Sequence, residues 1–583
     1  MPLIVLGLNA FHGDSAAALT VDGDLVAAVE EERFTRIKHW AGVPAQAVQY
    51  CLKEHGITLR DVDAIAINQD SGANFWRKIG FSLKQRPSPA LFLEKLKTRS
   101  ERRNIVELLA ESLGDSGFVG SYMPVEHHQA HLASAFYASP YDEAAVLSID
   151  GFGDFASTAW GYGSKNSLSM DERVFFPHSM GTFYQALTQF LGFPHYGDEY
   201  KVMGLAPYGE PTYLKKLREL VAPVGDGFRL NLEYFRHHRK NIGFEWRGGT
   251  PVFDRLYSGA LEQLLGPARL ADEHLEQKHY DLARSVQVLF EEILFHLLAR
   301  LHSRHNVPTL ALAGGCAMNS VANGKIRAHS KFESIYVQAA AGDAGGAIGA
   351  AYCAGLTLGG QRGTPMTHAY WGPSFSTAEI HSAVEVRRAD LVDCDIAEVT
   401  DEAELLANVA ASIAKGQVVG WFQGRLEWGP RALGHRSILG DPRRSDMKAI
   451  LNEKIKRRES FRPFAPSVLA HRVPEWFDTD DAVPFMMKVY PIREEKRALI
   501  PAVTHVDGSG RLQTVTERDN DRYFQLITAF ESLTGVPMLL NTSFNENEPI
   551  VCRPEEALDC FLRTQMDWLV LGNTVITRRE SGQ

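Results

Sequence analysis

Short apolar runs that end at Gly and Asp turns open the chain. LIVLGLN predicts a buried strand, and AAALTVDGDLVAAVEEE predicts two strands joined at Asp22-Gly23, a dipeptide that favours a tight hairpin turn. The later stretch AVLSIDGFGDFASTAWGYG repeats this order of apolar strand, short Gly/Asp loop, small residues and second strand. The two stretches together indicate an internal duplication.

Helical patterns separate these groups of strands. GTFYQALTQFLG and DLARSVQVLFEEILFHLLARLHSRH have apolar residues three and four positions apart, the spacing of one helix face. TLALAGGCAMN predicts a buried strand that ends in a Gly-Gly turn, and AAAGDAGGAIGAAYCAG predicts a loop that opens a helix of small residues. The alternation of strands and helices predicts an α/β fold.

A change of composition divides the chain in two. AGLTLGGQRGTPMTHAYWGPSFS, residues 354–376, is rich in Gly, Pro, Thr and Ser, which is typical of a linker. We therefore predict one domain over residues 1–358 and another over residues 376–583. The second domain has its own strand signals, VVGWFQG, MLLNTSF and WLVLGNTVITR, and a basic centre, KIKRRESFRPFAP, so it too is predicted to be α/β.

Composition excludes several classes of protein. With 45% hydrophobic and 23% charged residues among 583, the chain is predicted to be globular, and a net charge of -10 argues against nucleic acid as a partner. The N-terminus lacks a basic leader and no apolar run reaches about twenty residues, which predicts a cytoplasmic protein without a membrane span. The six cysteines form no C-x-x-C pair, so neither a disulfide framework nor a zinc ribbon is indicated.

The stretch EHHQAH contains a candidate metal site. His127 and His131 are four residues apart, which on a helix places both rings on one face. Asp150 ends a predicted strand and Asp343 opens a predicted helix, and either position can present a carboxylate. Two imidazoles and two carboxylates suit Fe²⁺, Mn²⁺ or Zn²⁺ better than Ca²⁺. The alternative is a capped helix start whose histidines form only hydrogen bonds.

The second domain has basic residues that indicate an anion site. Arginine binds phosphate through two parallel hydrogen bonds, and a basic cluster in an acidic protein is costly without an anion. The cluster comprises Arg431, His435, Lys456, Arg458, Arg462 and Arg511. Asn541 and Ser543 follow an apparent strand, where they can hold phosphate or Mg²⁺. The alternative is a solvated basic face. The aromatic residues within the cluster are also compatible with nucleic-acid binding. The lack of a wider basic surface argues against that function.

A series of composite motifs resembles one family along nearly the whole chain. GLNAFHGDSAAAL, EEERFTRIKH, VEHHQAHLASAF, LSIDGFGD, YKVMGLAPYG, LAGGCAMNSVANGKI and GDAGGAIGAA, followed by GWFQGRLEWGPRALGHRSIL, LNEKIKRRESFRPFAPSVL, HVDGSGRLQTV and PMLLNTSFNENEPIV, are similar to the NodU/CmcH family of O-carbamoyltransferases. The resemblance implies a duplicated actin/hexokinase-like N-terminal domain, similar to tRNA threonylcarbamoyl-transfer proteins, and a YrdC-like C-terminal domain.

The resemblance further implies an enzyme with two sites. The C-terminal domain would make carbamoyl-adenylate from ATP, bound with Mg²⁺, and carbamoyl phosphate. The N-terminal domain would transfer the carbamoyl group to a hydroxyl of a small molecule, such as a sugar, an antibiotic or another secondary metabolite. His127, His131, Asp150 and Asp343 match the family's metal positions, with Fe²⁺ as the first candidate and Mn²⁺ or Zn²⁺ as alternatives; His128 does not match one.

The same resemblance gives the remaining candidate residues. His12 or Asp14 would deprotonate the acceptor hydroxyl and Lys38 would bind an anion, whereas HGDS without the family context predicts only a polar turn. Four residues would let adenosine lie against the backbone: Gly314, Gly315, Asn319 and Gly345.

Other functions are compatible with the same motifs. The main alternative is an ATP-dependent phosphotransferase or ATPase of the actin/hexokinase-like fold. An ATP-gated binding protein would leave the histidine pair without a role, and an iron oxygenase triad would leave the second carboxylate without one. tRNA is conceivable as the acceptor, but two domains fused in one acidic chain favour a small molecule. A homodimer is kept as a candidate assembly.

Overall fold

A computed structural model describes residues 1–85, 105–239, 244–247, 250–459 and 461–579. The contacts divide the chain into two compact units, Met1–Met366 and Thr367–Gln583. This division falls in the Gly- and Pro-rich segment between the two predicted domains.

The first unit begins with a sheet of five strands among the described residues. The strand order across the sheet is Asp24–Glu30, Ala16–Val21, Ile4–Asn9, Ala64–Ile67 and Ser121–Pro124. The first three strands are antiparallel, with the predicted hairpin at Asp22-Gly23, and the last two run parallel to the central strand.

A second sheet of the same unit has the same topology. Its described strands lie in the order Ser167–Phe175, Ala156–Ser164, Glu143–Gly153, Thr309–Ala313 and Ser334–Val337. Again three antiparallel strands are followed by two parallel ones. The predicted internal duplication and the α/β class of the first domain are therefore confirmed.

Helices connect and cover these sheets. Those described in the first unit are Glu32–Thr35, Ala45–His55, Phe75–Gln85, Ile105–Leu113, His127–Phe136, Met180–Phe190, Glu199–Leu205, Leu214–Leu217, Gly259–Leu265, Gln277–His305, Ser320–His329 and Gly345–Thr357. Short 3₁₀ turns occur at Leu59–Asp61, Ala206–Tyr208, Leu232–Tyr234 and Gly315–Met318, and two small ribbons pair Val221–Val224 with Gly227–Leu230 and Phe244–Arg247 with Thr250–Phe253.

Small residues bring two of these helices into direct backbone contact. A Cβ atom at Gly349, on the helix Gly345–Thr357, would lie 1.7 Å from the carbonyl oxygen of Ala130 on the helix His127–Phe136. A Cβ at Gly7 would lie 2.0 Å from the carbonyl oxygen of Ala347. Glycine is therefore required at both positions for the backbones to approach this closely. The packing fixes the position of the helix that carries the two candidate histidines.

The second unit is also α/β, as predicted. The described strands of its mixed sheet lie in the order Cys394–Glu398, Thr574–Arg578, Trp568–Leu571, Val419–Phe422, Arg436–Gly440, Met538–Ser543, Ala465–Leu469, Ser509–Val515 and Lys488–Pro491. Its described helices are Thr377–Val386, Glu402–Ala414, Met447–Leu451, Val473–Trp476, Glu494–Arg497, Asp521–Thr534 and Pro554–Arg563, with 3₁₀ turns at Arg388–Leu391 and Ala470–Arg472 and a π turn at Asn452–Lys456. Among the helices that the structure describes, none combines the length and apolarity that crossing a bilayer requires.

Candidate metal centre and anion site

The helix His127–Phe136 carries both candidate imidazole ligands on one face. It begins after Glu126, whose carboxylate accepts a hydrogen bond from the backbone N–H of Gln129 at 2.8 Å. His127 and His131 are one turn apart and both are buried, and their Nε2 atoms are only 3.0 Å from each other. The spacing in the sequence thus produces the convergence that the helix geometry predicts.

Two carboxylates meet these imidazoles. Asp150 lies where the strand pairing becomes irregular between Ile149 and Gly153, and its Oδ2 is 2.8 Å from Nε2 of His131 and 3.5 Å from Nε2 of His127. Asp343 precedes the helix Gly345–Thr357, and its Oδ1 is 3.5 Å from Nε2 of His131 and 3.6 Å from Nε2 of His127.

The four side chains fit a divalent cation. One donor atom from each lies within 4.8 Å of all the others. Around an ion bound at about 2.1 Å, neighbouring ligand atoms are roughly 3.0 to 3.4 Å apart, close to the distances given above. Two nitrogens and two carboxylate oxygens suit Fe²⁺, Mn²⁺ or Zn²⁺.

The electrostatics of the four side chains also favour positive charge. Burial opposes a charged imidazole, but the hydrogen bond to Asp150 and the charge of Asp343 outweigh it and raise the pKa of His127 to about 9. Burial and the charge of Asp150 oppose ionisation of Asp343, yet the neighbouring imidazoles of His12, His131 and His127 lower its pKa to about 2. Positive charge on His127 thus stabilises the two half-buried carboxylates, and a bound cation would supply the same charge.

Two neighbours shape this centre. His128 is buried and its Nδ1 lies 2.9 Å from Oγ of Ser148; burial and the adjacent histidines hold its pKa well below the usual value, so it is neutral. Gly153 lies against the ring of His127, where a Cβ atom would be 2.0 Å from Cγ. The Ser148 contact occupies Nδ1 of His128, which is not one of the four residues whose donor atoms converge; its exclusion from the ligand set stays a prediction.

The residues predicted for catalysis differ in their surroundings. His12 stacks on His127 with ring centres 5.5 Å apart, and its Nδ1 is 3.7 Å from Oδ2 of Asp343. Asp14 instead forms an ion pair with Nδ1 of His39 at 2.8 Å, and Lys38 is exposed. The sequence reasoning did not select His39. The only signal that could have pointed to it is its position next to Lys38.

The residues predicted to bind adenosine have structural contacts of their own. Gly314, at φ 87°, lies where a Cβ would be 2.2 Å from the carbonyl oxygen of Ile149, and Gly345 is similarly close to Ala340. Asn319 caps the helix Ser320–His329 and exchanges hydrogen bonds with Gln287. Gly315 is half-buried beside Asp150. Adenosine binding by these four residues stays a prediction.

In the second unit, four of the predicted basic residues lie close together. Burial and the positive charges of Arg431, Arg458 and Arg462 hold the pKa of Arg511 well below its usual value. All four are half-buried. His505, which the sequence reasoning did not select, faces the same group: burial and the charge of Arg511 lower its pKa to about 4. Arg462 also pairs with Glu459 at 3.4 Å. Together the four guanidinium groups supply the forked donors that a phosphate accepts, so the group fits a phosphate-binding site.

The other predicted ligands of this site contact protein groups instead. Lys456 is buried and its Nζ donates to the backbone oxygens of Ser543 at 2.5 Å and Asn545 at 2.8 Å. The side-chain amide of Asn541 donates to Ala432, Ser467 and Gln513. His435 stacks on Tyr370, with ring centres 3.8 Å apart, and burial lowers its pKa to about 4. These side chains hold the strands and loops around the arginines in place.

Comparison with known proteins gives the family. Residues 4–352 match the carbamoyltransferase N-terminus family and residues 410–578 match the carbamoyltransferase C-terminus family. The chain therefore belongs to the carbamoyltransferase family, as its motifs predicted, and is a transferase of the carbamoyl group.

Two related sequences support this membership over nearly the full length of the chain. The chain is 42% identical to an uncharacterized protein of Synechocystis sp., with 99% of this chain and 97% of the relative covered. It is 39% identical to nodulation protein NolNO of Sinorhizobium fredii, with 98% and 80% covered. Among solved structures, HypF of T. kodakarensis gives a TM-score of 0.29 at 14% identity, covering 62% of this chain and 49% of that one. ROK hexokinase of Thermus thermophilus also gives 0.29 at 14% identity, covering 61% and 100%.

Proposed function

We propose that this protein is an ATP-dependent O-carbamoyltransferase whose two units catalyse successive half-reactions. The second unit would convert ATP, carbamoyl phosphate and water into carbamoyl-adenylate, pyrophosphate and phosphate. The first unit would transfer the carbamoyl group to a hydroxyl of a small molecule. The observation that carries this proposal is the convergence of His127, His131, Asp150 and Asp343 on one point beside His12.

The arginine group of the second unit supports adenylate formation there. ATP and carbamoyl phosphate are both polyanions, and their phosphates match the forked donors of Arg431, Arg458, Arg462 and Arg511. Neutral His505 beside Arg511 adds an uncharged nitrogen that can accept a hydrogen bond or donate one. Mg²⁺ would accompany ATP at this site.

The first unit has the groups that transfer requires. A divalent ion held by the two histidines and two aspartates, with Fe²⁺ as the first candidate and Mn²⁺ or Zn²⁺ as alternatives, would supply Lewis-acid polarisation of an adenylate oxygen. His12 would take the proton of the acceptor hydroxyl, because its Nε2 is buried and makes no hydrogen bond within the described residues, while Asp343 faces its Nδ1. Asp14 is engaged by His39 and is less suited to that role.

The half-reactions separate the alternatives. Full-length protein incubated with ATP, carbamoyl phosphate and Mg²⁺ should release pyrophosphate without any acceptor, and the adenylate should be detectable by mass spectrometry. ADP formed in place of pyrophosphate would favour the phosphotransferase.

A variant tests the division of labour between the units. His131→Ala removes a metal ligand, so it should abolish carbamoyl transfer while pyrophosphate release continues. His296→Ala, at a half-buried histidine of the helix Gln277–His305 that is not one of the four metal-centre residues, is the control and should retain both. Equal loss of the two half-reactions in His131→Ala would contradict the assignment of transfer to the first unit.

A further inference from the structure

His39 is held in one orientation by groups from three segments of the first unit. Its Nδ1 pairs with Oδ1 of Asp14 at 2.8 Å, and its backbone N–H donates to Oε2 of Glu32 at 2.8 Å. The edge of the ring meets Tyr196 with centres 5.1 Å apart. Gly197, at φ 83°, lies against the other nitrogen, since a Cβ there would be 2.5 Å from Nε2.

The free nitrogen of this ring is available to a ligand. No hydrogen bond within the described part of the chain uses Nε2 of His39, and the side chain is 31% exposed. Asp14 is two residues from His12, which contacts Asp343 of the metal centre. Tyr196 lies between the two regions: its ring contacts His39, and its hydroxyl lies against Gly13, next to His12, where a Cβ would be 2.7 Å away.

The surrounding charges keep the imidazole protonated at neutral pH. Burial lowers the pKa of His39, but the charge and hydrogen bond of Asp14 and the charge of Glu32 outweigh it and raise the pKa to about 9, against a smaller opposing effect of Lys38. Glu199 and Tyr196 face the ring from the third segment, and Glu199 has its own pKa raised to about 7, mainly by burial. A protonated ring whose Nδ1 is already paired presents one N–H donor, at Nε2.

We propose that Nε2–H of His39, oriented by Asp14, binds the phosphate of a nucleotide monophosphate in the first unit. This rests on the proposed function, in which the bound species is carbamoyl-adenylate. During transfer the acceptor oxygen bonds to the carbamoyl carbon, the bond from that carbon to the phosphate oxygen breaks, and AMP leaves with the electron pair while His12 takes the acceptor proton. The leaving phosphate gains negative charge, which a cationic donor stabilises.

The test compares AMP with adenosine, which lacks only the phosphate. Equilibrium binding of both is measured with the full-length chain in a fixed Mn²⁺ concentration, in an Arg511→Gln background that weakens the anion site of the second unit. In His39→Gln the affinity for AMP should fall by about 10-fold to 100-fold, the range for one charged hydrogen bond, while that for adenosine stays the same. In the protein with His39 intact, the preference for AMP should be lost as the pH rises through about 9.

Matched variants guard against a structural explanation. His55→Gln removes an exposed histidine of the same unit and should leave both affinities unchanged. Asp14→Asn keeps a side-chain oxygen beside the ring but removes the negative charge, so it should weaken AMP binding and move the pH at which the preference is lost to a lower value. The proposal is overturned if His39→Gln retains the preference for AMP, if adenosine loses affinity equally, or if Lys38→Gln alone removes the preference. Failure of the proposed function can be distinguished from failure of the His39 proposal, because in that case the unaltered chain would release no pyrophosphate.

Discussion

Gly153→Ala tests the metal centre without changing any ligand. A Cβ atom at this position would be 2.0 Å from Cγ of His127, 2.1 Å from Cδ2 and 2.5 Å from Nδ1. Carbon atoms in ordinary contact are about 3.5 Å apart, so the ring or the strand has to move by roughly 1.5 Å. Metal–ligand distances tolerate only about 0.2 Å. The substitution should therefore remove His127 from the ligand set or displace Asp150 on the same strand.

The expected loss of metal affinity is at least about 100-fold, equivalent to about 2.7 kcal/mol, and crowding should cost about 1 to 3 kcal/mol of stability. Free Mn²⁺ measured by electron paramagnetic resonance during titration gives the affinity, and urea denaturation gives the stability. Gly151→Ala is the matched control, because a Cβ two residues earlier on the same strand meets no atom within 4 Å. Equal Mn²⁺ affinity in both variants would refute the placement of His127 at the centre.

Three further predictions concern the second unit. Lys456→Met leaves the oxygens of Ser543 and Asn545 without their donor and should lower the free energy of unfolding by about 3 kcal/mol in urea, whereas Arg457→Met, at an exposed ion pair, should change it by under about 0.5 kcal/mol. Arg511→Gln relieves repulsion among four arginines, so the melting temperature in buffer should not fall, but the rise produced by inorganic phosphate should shrink. His505 is neutral when folded, with a pKa of about 4, and takes up a proton on unfolding below about pH 6.5; stability should therefore fall as the pH drops from 6.5 to 4, and His505→Gln should reduce that slope.

Local sequence spacing was enough to predict those site residues whose position is set by a single helix or strand. A pair of histidines four residues apart must share a helix face, and an aspartate at the end of a strand must lie at the edge of a sheet, so His127, His131 and Asp150 could be proposed together. The pairing of Asp14 with His39 could not be predicted, because it joins segments 25 residues apart through tertiary contacts. For the same reason nothing in the basic run distinguished Lys456, which donates to backbone oxygens, from the half-buried arginines.

The repeated sheet order explains why residues far apart in the sequence form one centre. In the first half, the loop after the strand Ile4–Asn9 carries His12, and the helix after the strand Ser121–Pro124 carries His127 and His131. These are the first and last strands of the parallel part of the sheet, and their carboxyl ends lie at one edge.

The second half contributes from the equivalent positions. Asp150 lies at the end of the pairing of the central strand Glu143–Gly153, and Asp343 lies between the strand Ser334–Val337 and the helix that follows it. That helix touches the helix of the two histidines at Gly349, where no side chain fits. The first half supplies the two histidines and the second half supplies the two aspartates. If the halves slid past each other at this contact, the histidines would therefore separate from the aspartates. A bound cation should therefore stabilise the contact between the halves as well as the centre itself.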